Sequence, residues 1–200
     1  MKKGLLAVLL AVALAAPIFA SEKGDINIVG KLGVAVNPKD GYVDDNYDSV
    51  DYYKRNPALS IAVEGLYYLL PELPVGLGIN YQFNSEFTKY ENREDGSTNI
   101  YLTVKPTAKI DSNIFTALYL IGQIGYGLYR LEGDGWGDCE VDSGLYWGLG
   151  AGTEIMNDFI FEFVFSTNNW TYKWDDGYTF EKQDMKGTAL TLFAGYKFNI

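Results

Sequence analysis

Three glutamates fall on the same side of predicted β-strands, and paired carboxyl groups of this kind are what glycoside hydrolysis requires. Glu64, Glu154 and Glu162 each lie where apolar and polar residues alternate. In glycosidases one carboxyl group acts as a general acid and a second acts as a base or nucleophile. The same side of the strands also has three lysines, Lys31, Lys105 and Lys197. The equal number of opposite charges favours ion pairs over an acid pair, because unpaired buried charges are costly.

The chain has no histidine, and this absence argues against catalysis by a general base near neutral pH. Histidine is the side chain whose ordinary pKa lies near neutrality, and it activates most hydroxyl nucleophiles by accepting their proton. Serine and threonine are present, but no lysine or carboxylate beside them is marked as a substitute base. We therefore expect no catalytic residues, no enzymatic activity and no cofactor.

One acidic segment is similar in sequence to the start of a calcium-binding loop. Asp44, Asn46 and Asp48 have the alternate spacing that such a loop uses. Ser49 then occupies the position where glycine is needed, and Arg55 occupies the position of the closing glutamate. An acidic, solvated loop is the better interpretation, so we predict no metal site.

The first twenty residues differ from the rest and predict a secretory signal peptide. Lys2 and Lys3 precede an apolar run that ends at Ala20, before Ser21. The domain therefore spans residues 21–200. Loss of these two lysines and no acid takes the formal net charge from −10 to −12, and so acidic a chain is not expected to bind nucleic acid. The single cysteine, Cys139, rules out an internal disulfide.

Eight segments after the signal peptide show an apolar residue at every second position, which is the pattern of an amphipathic β-strand. The last segment is typical, with Leu190, Leu192 and Tyr196 alternating with Thr191 and smaller or polar residues. The predicted strands centre on residues 25–37, 58–70, 75–87, 100–105, 118–128, 145–155, 159–166 and 187–200. Their connections are alternately long and short.

This alternation of connections predicts an up-and-down topology with all short turns at one end. Eight neighbouring antiparallel strands without a covering helix are best completed by pairing the last strand with the first. The sequence therefore predicts an all-β, eight-stranded antiparallel barrel. A small interior explains why its polar face is rich in glycine.

The apolar face is expected to face lipid, because aromatic residues occur at its two ends and mostly aliphatic residues between them. The aromatic residues nearer the long connections are Tyr81, Phe83, Tyr126, Trp147 and Phe165, and those nearer the short turns are Tyr67, Phe159, Tyr196 and Phe198. No charge occurs at the central apolar positions. Four apolar residues lie at positions that belong to the polar face: Leu66, Ile121, Val164 and Phe193. Either they fill the interior of the barrel, or a local bulge shifts the register of their strands.

The whole chain after residue 20 resembles the small bacterial outer membrane β-barrels of the OmpA/OmpX-like type. Its end, with Gly195, Phe198 and Ile200, is similar to the C-terminal signal that the barrel-assembly machinery recognises in that family, although Ile replaces the usual Phe. The resemblance implies a location in the bacterial outer membrane, contact with its lipid and insertion by that machinery.

We expect a non-enzymatic barrel whose lumen is filled by ion pairs and whose acidic, aromatic loops bind an extracellular ligand or surface, or support envelope integrity. The loop aromatics are Tyr42, Tyr47, Tyr52, Tyr53, Trp136, Trp170, Tyr172 and Trp174. A narrow porin or small-solute channel is the first alternative. A secreted lipocalin-like carrier, with its apolar face inward, is the second.

Overall fold

The computed structural model describes residues 23–44, 49–88, 90–110, 112, 114–132, 139–175 and 180–200. The predicted signal peptide lies outside the described residues, as do Asn46 and Asp48 of the acidic segment and the aromatic residues Tyr47 and Trp136. Across the described ranges, no helix is long and apolar enough to cross a bilayer.

The described chain is built from antiparallel β-strands. They are β1 (Ile26–Asp44), β2 (Ser49–Lys54), β3 (Ala58–Leu70), β4 (Leu73–Phe87), β5 (Tyr90–Val104), β6 (Thr107–Lys109), β7 (Phe115–Glu132), β8 (Cys139–Ile155), β9 (Phe159–Asp175) and β10 (Phe180–Asn199). Side chains alternate between the two faces along each strand, as the period of two in the sequence requires.

The ten strands form a ring of eight because β2 and β3 together occupy one position in the ring, and β5 and β6 together occupy another. Both β2 and β3 pair with β1, and both β5 and β6 pair with β7. The interruptions contain Pro57 and Pro106, which have no N–H to donate to a strand ladder. β10 pairs with β1, so the sheet closes on itself. The prediction of an eight-stranded, up-and-down barrel is confirmed.

The strands extend further toward the long connections than the sequence predicts. β1 continues to Asp44 after a register shift between Val36 and Lys39. β5 begins at Tyr90, although the polar residues 92–96 suggested a loop. These extensions have water on their outer face, so the apolar and polar alternation that reveals a membrane strand is absent there.

The apolar face points outward, away from the barrel axis. The side chains of Leu77 and Leu149 are 64% and 61% exposed, whereas those of Lys31 and Glu64 lie inside with 3% and 0% exposure. This orientation is the reverse of a carrier that holds an apolar ligand inside, and it contradicts the lipocalin-like alternative.

The four apolar residues with inward parity fill the lumen. Ile121, Val164 and Phe193 pack together with Ala62 and Tyr119. Leu66 belongs to a second buried cluster nearer the short turns. Strand pairing runs without a register shift through all four positions, so the alternative of a local bulge is wrong.

Candidate functional site

The centre of the lumen contains a ring of four charged side chains, which we call the charge ring: Lys31, Glu64, Lys105 and Glu162. Inward positions on β1, β3 and β9 supply three of them, and Lys105 follows the last residue of β5. The Nζ atom of Lys31 lies 2.5 Å from Glu64 and 2.8 Å from Glu162. The Nζ atom of Lys105 lies 2.5 Å from Glu64 and 2.6 Å from Glu162.

Charges alternate around the ring, so every lysine contacts both glutamates and the net charge is zero. All four side chains are buried. Removal of one partner from such a set leaves an uncompensated buried charge, which typically costs about 3–5 kcal/mol. Substitution of any single member of the ring by a neutral residue is therefore expected to destabilise the barrel.

Each glutamate of the ring also accepts a hydrogen bond from a tyrosine. The hydroxyl of Tyr101 donates to Glu64 over 3.0 Å, and that of Tyr119 donates to Glu162 over 2.9 Å. Each tyrosine ring lies over a glycine of a neighbouring strand. A Cβ atom at Gly78 would be 2.4 Å from the ring of Tyr101, and one at Gly152 would be 2.6 Å from that of Tyr119. These glycines make room for the tyrosines.

A further pair of polar side chains extends the ring toward the long connections. Gln123 donates to Glu64 over 3.4 Å, and the hydroxyl of Tyr146 donates to the Oε1 atom of Gln123 over 2.6 Å. The sequence alone does not predict a role for either residue, or for Tyr101 and Tyr119. Their inward parity was visible, but cross-strand register decides which polar groups meet.

The remaining two predicted interior charges lie apart from the ring. The Nζ atom of Lys197 is 2.8 Å from Glu154, nearer the short-turn end, and the Lys197 side chain is buried whereas that of Glu154 is partly accessible. Val29, Leu66, Tyr68 and Ile160 form a buried apolar cluster beside this pair. A void of about 10 Å³ bordered by Tyr68, Lys105 and Lys197 has room for about one water molecule.

A second buried group, which we call the mouth cluster, lies near the other end of the lumen: Asp40, Arg55, Asp95, Tyr129 and Trp170. Arg55 makes ion pairs with Asp40 and Asp95. The Tyr129 hydroxyl donates to Asp40 over 2.5 Å, and its ring stacks on Trp170 with centroids 4.5 Å apart. Trp170 is thus part of the lumen rather than an exposed loop aromatic.

The mouth cluster lies beyond the apolar band, since Lys39 and Lys54 point outward at its level. Its two carboxyl groups share one guanidinium group. Burial is the main cause that raises the pKa of Asp95 well above its usual range, and the adjacent Asp40 raises it further while Arg55 opposes this. Burial also disfavours the charge on Arg55, but the two carboxyl groups raise the pKa of its side chain above the usual value.

The predicted girdle residues lie on the outer surface near the two ends of the apolar band. At the long-connection end the rings of Tyr81 and Phe83 have centroids 4.9 Å apart, and Trp147 and Phe165 are 5.9 Å apart. At the short-turn end Tyr196 contacts both Phe159 and Phe198, at 5.2 and 4.7 Å. Tyr67 is outward at that same end, and Tyr126 is outward at the other.

The candidate C-terminal signal forms the end of β10. Gly195 pairs with Lys31 of β1 and with Ile160 of β9. Phe198 pairs with Ile28, and the backbone N–H of Ile200 donates to the carbonyl of Ile26 over 2.9 Å. These residues thus form part of the seam that closes the barrel.

The arrangement offers little chemistry at its centre. Both ring glutamates accept hydrogen bonds from two lysines and one tyrosine, so neither is free to act as a base. Among the described residues, no group of three or more acidic, cysteine or histidine side chains is suited to hold a metal ion.

Comparisons with known proteins identify the fold. The model of the outer membrane protein beta-barrel domain family matches residues 5–198. A comparison with curated proteins gave no significant match. The solid-state NMR structure of outer membrane protein AlkL in DMPC lipid bilayers is 10% identical with a TM-score of 0.58, over 92% of this chain and 94% of that one.

Two crystal structures have the same fold. The outer membrane protein OprG from Pseudomonas aeruginosa is 10% identical with a TM-score of 0.50, over 92% of this chain and 99% of that one. Neisserial surface protein A is 10% identical with a TM-score of 0.52, over 86% of this chain and 97% of that one. At such low identity the similarity is one of fold.

Proposed function

Because the chain belongs to the outer membrane β-barrel domain family and resides in the bacterial outer membrane, we propose that it is a non-enzymatic barrel that is closed to solutes. In this proposal its wall and extracellular end serve surface interaction or envelope integrity. The observation that supports this most is the charge ring, whose members neutralise one another at the centre of a narrow lumen.

The absence of catalysis is proposed from the chemistry of the side chains. No histidine is present in the sequence. The ring glutamates are occupied by lysines, so an acid pair with room for a glycoside between its carboxyl groups is not available. A fixed, neutral ring also gives a permeating ion no favourable binding site, because every carboxylate already has its counter-charge.

Single-channel recording in planar bilayers tests the closed lumen. Wild-type protein with heat-modifiable gel migration, which reports the folded barrel, is expected to give no steady unitary conductance. The matched control is Lys109→Gln, which changes one exposed lysine at the short-turn end of the barrel and should behave as the wild type. A steady conductance of the folded wild-type protein would replace this proposal by the narrow-channel alternative.

The extracellular role is tested in cells that display the barrel with residues 45–48, 133–138 and 176–179 replaced by short glycine-serine segments. Two responses are measured: adhesion to surfaces, and survival in detergent. Loss of adhesion alone supports surface interaction, and loss of detergent survival alone supports envelope integrity. If correctly assembled barrels with these replacements match the wild type in both, the proposed role of the loops is wrong.

We also propose that residues 1–20 are removed on export and that the end of β10 is recognised during insertion by the barrel-assembly machinery. The seam position of Phe198 and Ile200 supports the second proposal, because the last strand must be engaged before the barrel can close.

A further inference from the structure

Three lysines point outward together at the seam between β10, β1 and β2, and we call them the basic triad: Lys39, Lys54 and Lys186. Lys39 and Lys54 are direct cross-strand partners. Lys39 also pairs with Thr188, so Lys186 is its diagonal neighbour on β10. Side chains in these relations lie within about 5 and 8 Å of each other at their bases.

Like charges directly opposite each other on a sheet are destabilising. No ion pair joins any of the three ammonium groups to a carboxylate among the side chains that the structure describes. The lysines therefore form a concentrated positive charge on a strongly acidic protein. Such a cluster is best stabilised by an external anion.

The position of the triad indicates where that anion lies. Val36 and Leu190, on the same seam, are 39% and 41% exposed and form the edge of the apolar band. The triad begins immediately beyond them, toward the long connections, which are extracellular in barrels of this family. It is therefore at the level of the headgroups of the outer leaflet.

A groove of about 460 Å³ adjoins the triad at Lys186. Its other lining residues are Ser143, Gly144, Asn169, Trp170, Thr171, Asp184 and Met185. The hydroxyl of Thr171 donates to Asp184 over 2.7 Å. Hydroxyl, amide and carboxylate groups in one groove provide both donors and acceptors, which is what the hydroxyl groups of a sugar require.

We propose that the basic triad and this groove bind the phosphorylated saccharide headgroup of an outer-leaflet glycolipid, the lipopolysaccharide of the surrounding membrane. The lysines neutralise its phosphates, and the groove hydrogen-bonds its sugar. This deepens the envelope-integrity part of the proposed function and rests on it. A failure here is distinguishable from failure of the closed lumen, because triad variants should leave the conductance unchanged.

The test uses the folded mature protein in nonionic detergent with EDTA, so that no divalent cation links lipid to carboxylates. Bis-phosphorylated lipid A is titrated into the micelles, and the temperature at which the heat-modifiable band unfolds is measured. Lipid A should raise this temperature, and its dephosphorylated form should raise it less. The variant Lys39→Gln/Lys54→Gln/Lys186→Gln should bind more weakly by roughly fivefold per lysine removed, since each lysine near an anionic surface contributes about that factor.

Two controls keep the result interpretable. Without lipid the triple variant should be as stable as the wild type or more so, because the repulsion is removed, and this also shows that it folds. Lys109→Gln, at the opposite end of the barrel, should respond to lipid A as the wild type does. An unchanged lipid A response in the triple variant, an equal response to dephosphorylated lipid, or the full effect from inorganic phosphate alone would each overturn the proposal.

Discussion

Single and double variants of the charge ring can show whether stability is lost because a buried charge is unpaired or because a contact is removed. Glu64→Gln leaves one positive charge in excess, and Lys31→Met leaves one negative charge in excess. Each should lower the free energy of unfolding by about 3–5 kcal/mol, because a buried charge loses its partner. The double variant is neutral again and should recover much of that loss. Urea unfolding in lipid vesicles measures all three, and additive losses in the double variant would contradict this explanation.

The mouth cluster predicts an unusual dependence of stability on pH. The pKa of Asp95 is raised on folding by burial and by Asp40, so the folded barrel retains this proton at a higher pH than the unfolded chain does. Its contribution to stability is complete below the unfolded pKa, about 3.9, and is lost as pH rises through the folded pKa. Asp95→Asn keeps the neutral state at every pH.

Subtraction of the two stability curves removes the titration of the carboxyl groups that lie away from the mouth cluster, since these are present in both proteins. The wild type minus Asp95→Asn difference should fall as pH rises above about 4, with a limiting slope of about 1.4 kcal/mol per pH unit for one proton. No histidine titrates in this window. A difference that instead rises with pH would show that Asp95 is held as an ionised partner of Arg55.

At the scale of strands, the sequence was informative wherever the two faces meet different solvents. Leu77 and Leu149 face lipid and Glu64 faces the lumen, so residue type alternates and the strands are visible. Beyond the membrane both faces are polar, which is why the extension of β1 to Asp44 and the start of β5 at Tyr90 were missed. The partners of the ring were missed for another reason, since register between distant strands is not encoded in periodicity.

Two glycine substitutions, one at a crowded position and one at an open position, test how closely neighbouring strands pack. A Cβ atom at Gly152 would be 2.6 Å from the ring of Tyr119, whereas one at Gly65 would have nothing within 4 Å. Gly152→Ala should displace the tyrosine from Glu162 and cost about 1–3 kcal/mol as overpacking. Gly65→Ala should be neutral or slightly stabilising, because it only restricts the unfolded chain. Equal effects in urea unfolding would refute the packing argument.

The whole molecule combines a closed wall with a layered lumen. From the short-turn end, the Lys197–Glu154 pair, the charge ring and the mouth cluster follow one another along the lumen. Composition and parity predicted the barrel, its orientation and six interior charges. They did not predict that the charges separate into a ring and a pair, or that Arg55 lies between two carboxyl groups. Both depend on how strands that are as much as 131 residues apart in sequence meet.

A variant at the end of β10 can show whether this end is needed for folding or for assembly in cells. Phe198 is on the outer surface, where its ring contacts Tyr196 at 4.7 Å, so Phe198→Ala removes little interior packing. We expect the purified variant to refold in detergent with wild-type yield and heat-modifiable migration. In cells, the same variant should accumulate in the outer membrane several-fold less, because we propose that the assembly machinery recognises this end of the last strand. Phe161→Ala is the control, since it removes an outward-facing ring from β9, which is not the last strand. Equal accumulation of both variants would show that Phe198 is an ordinary lipid-facing residue.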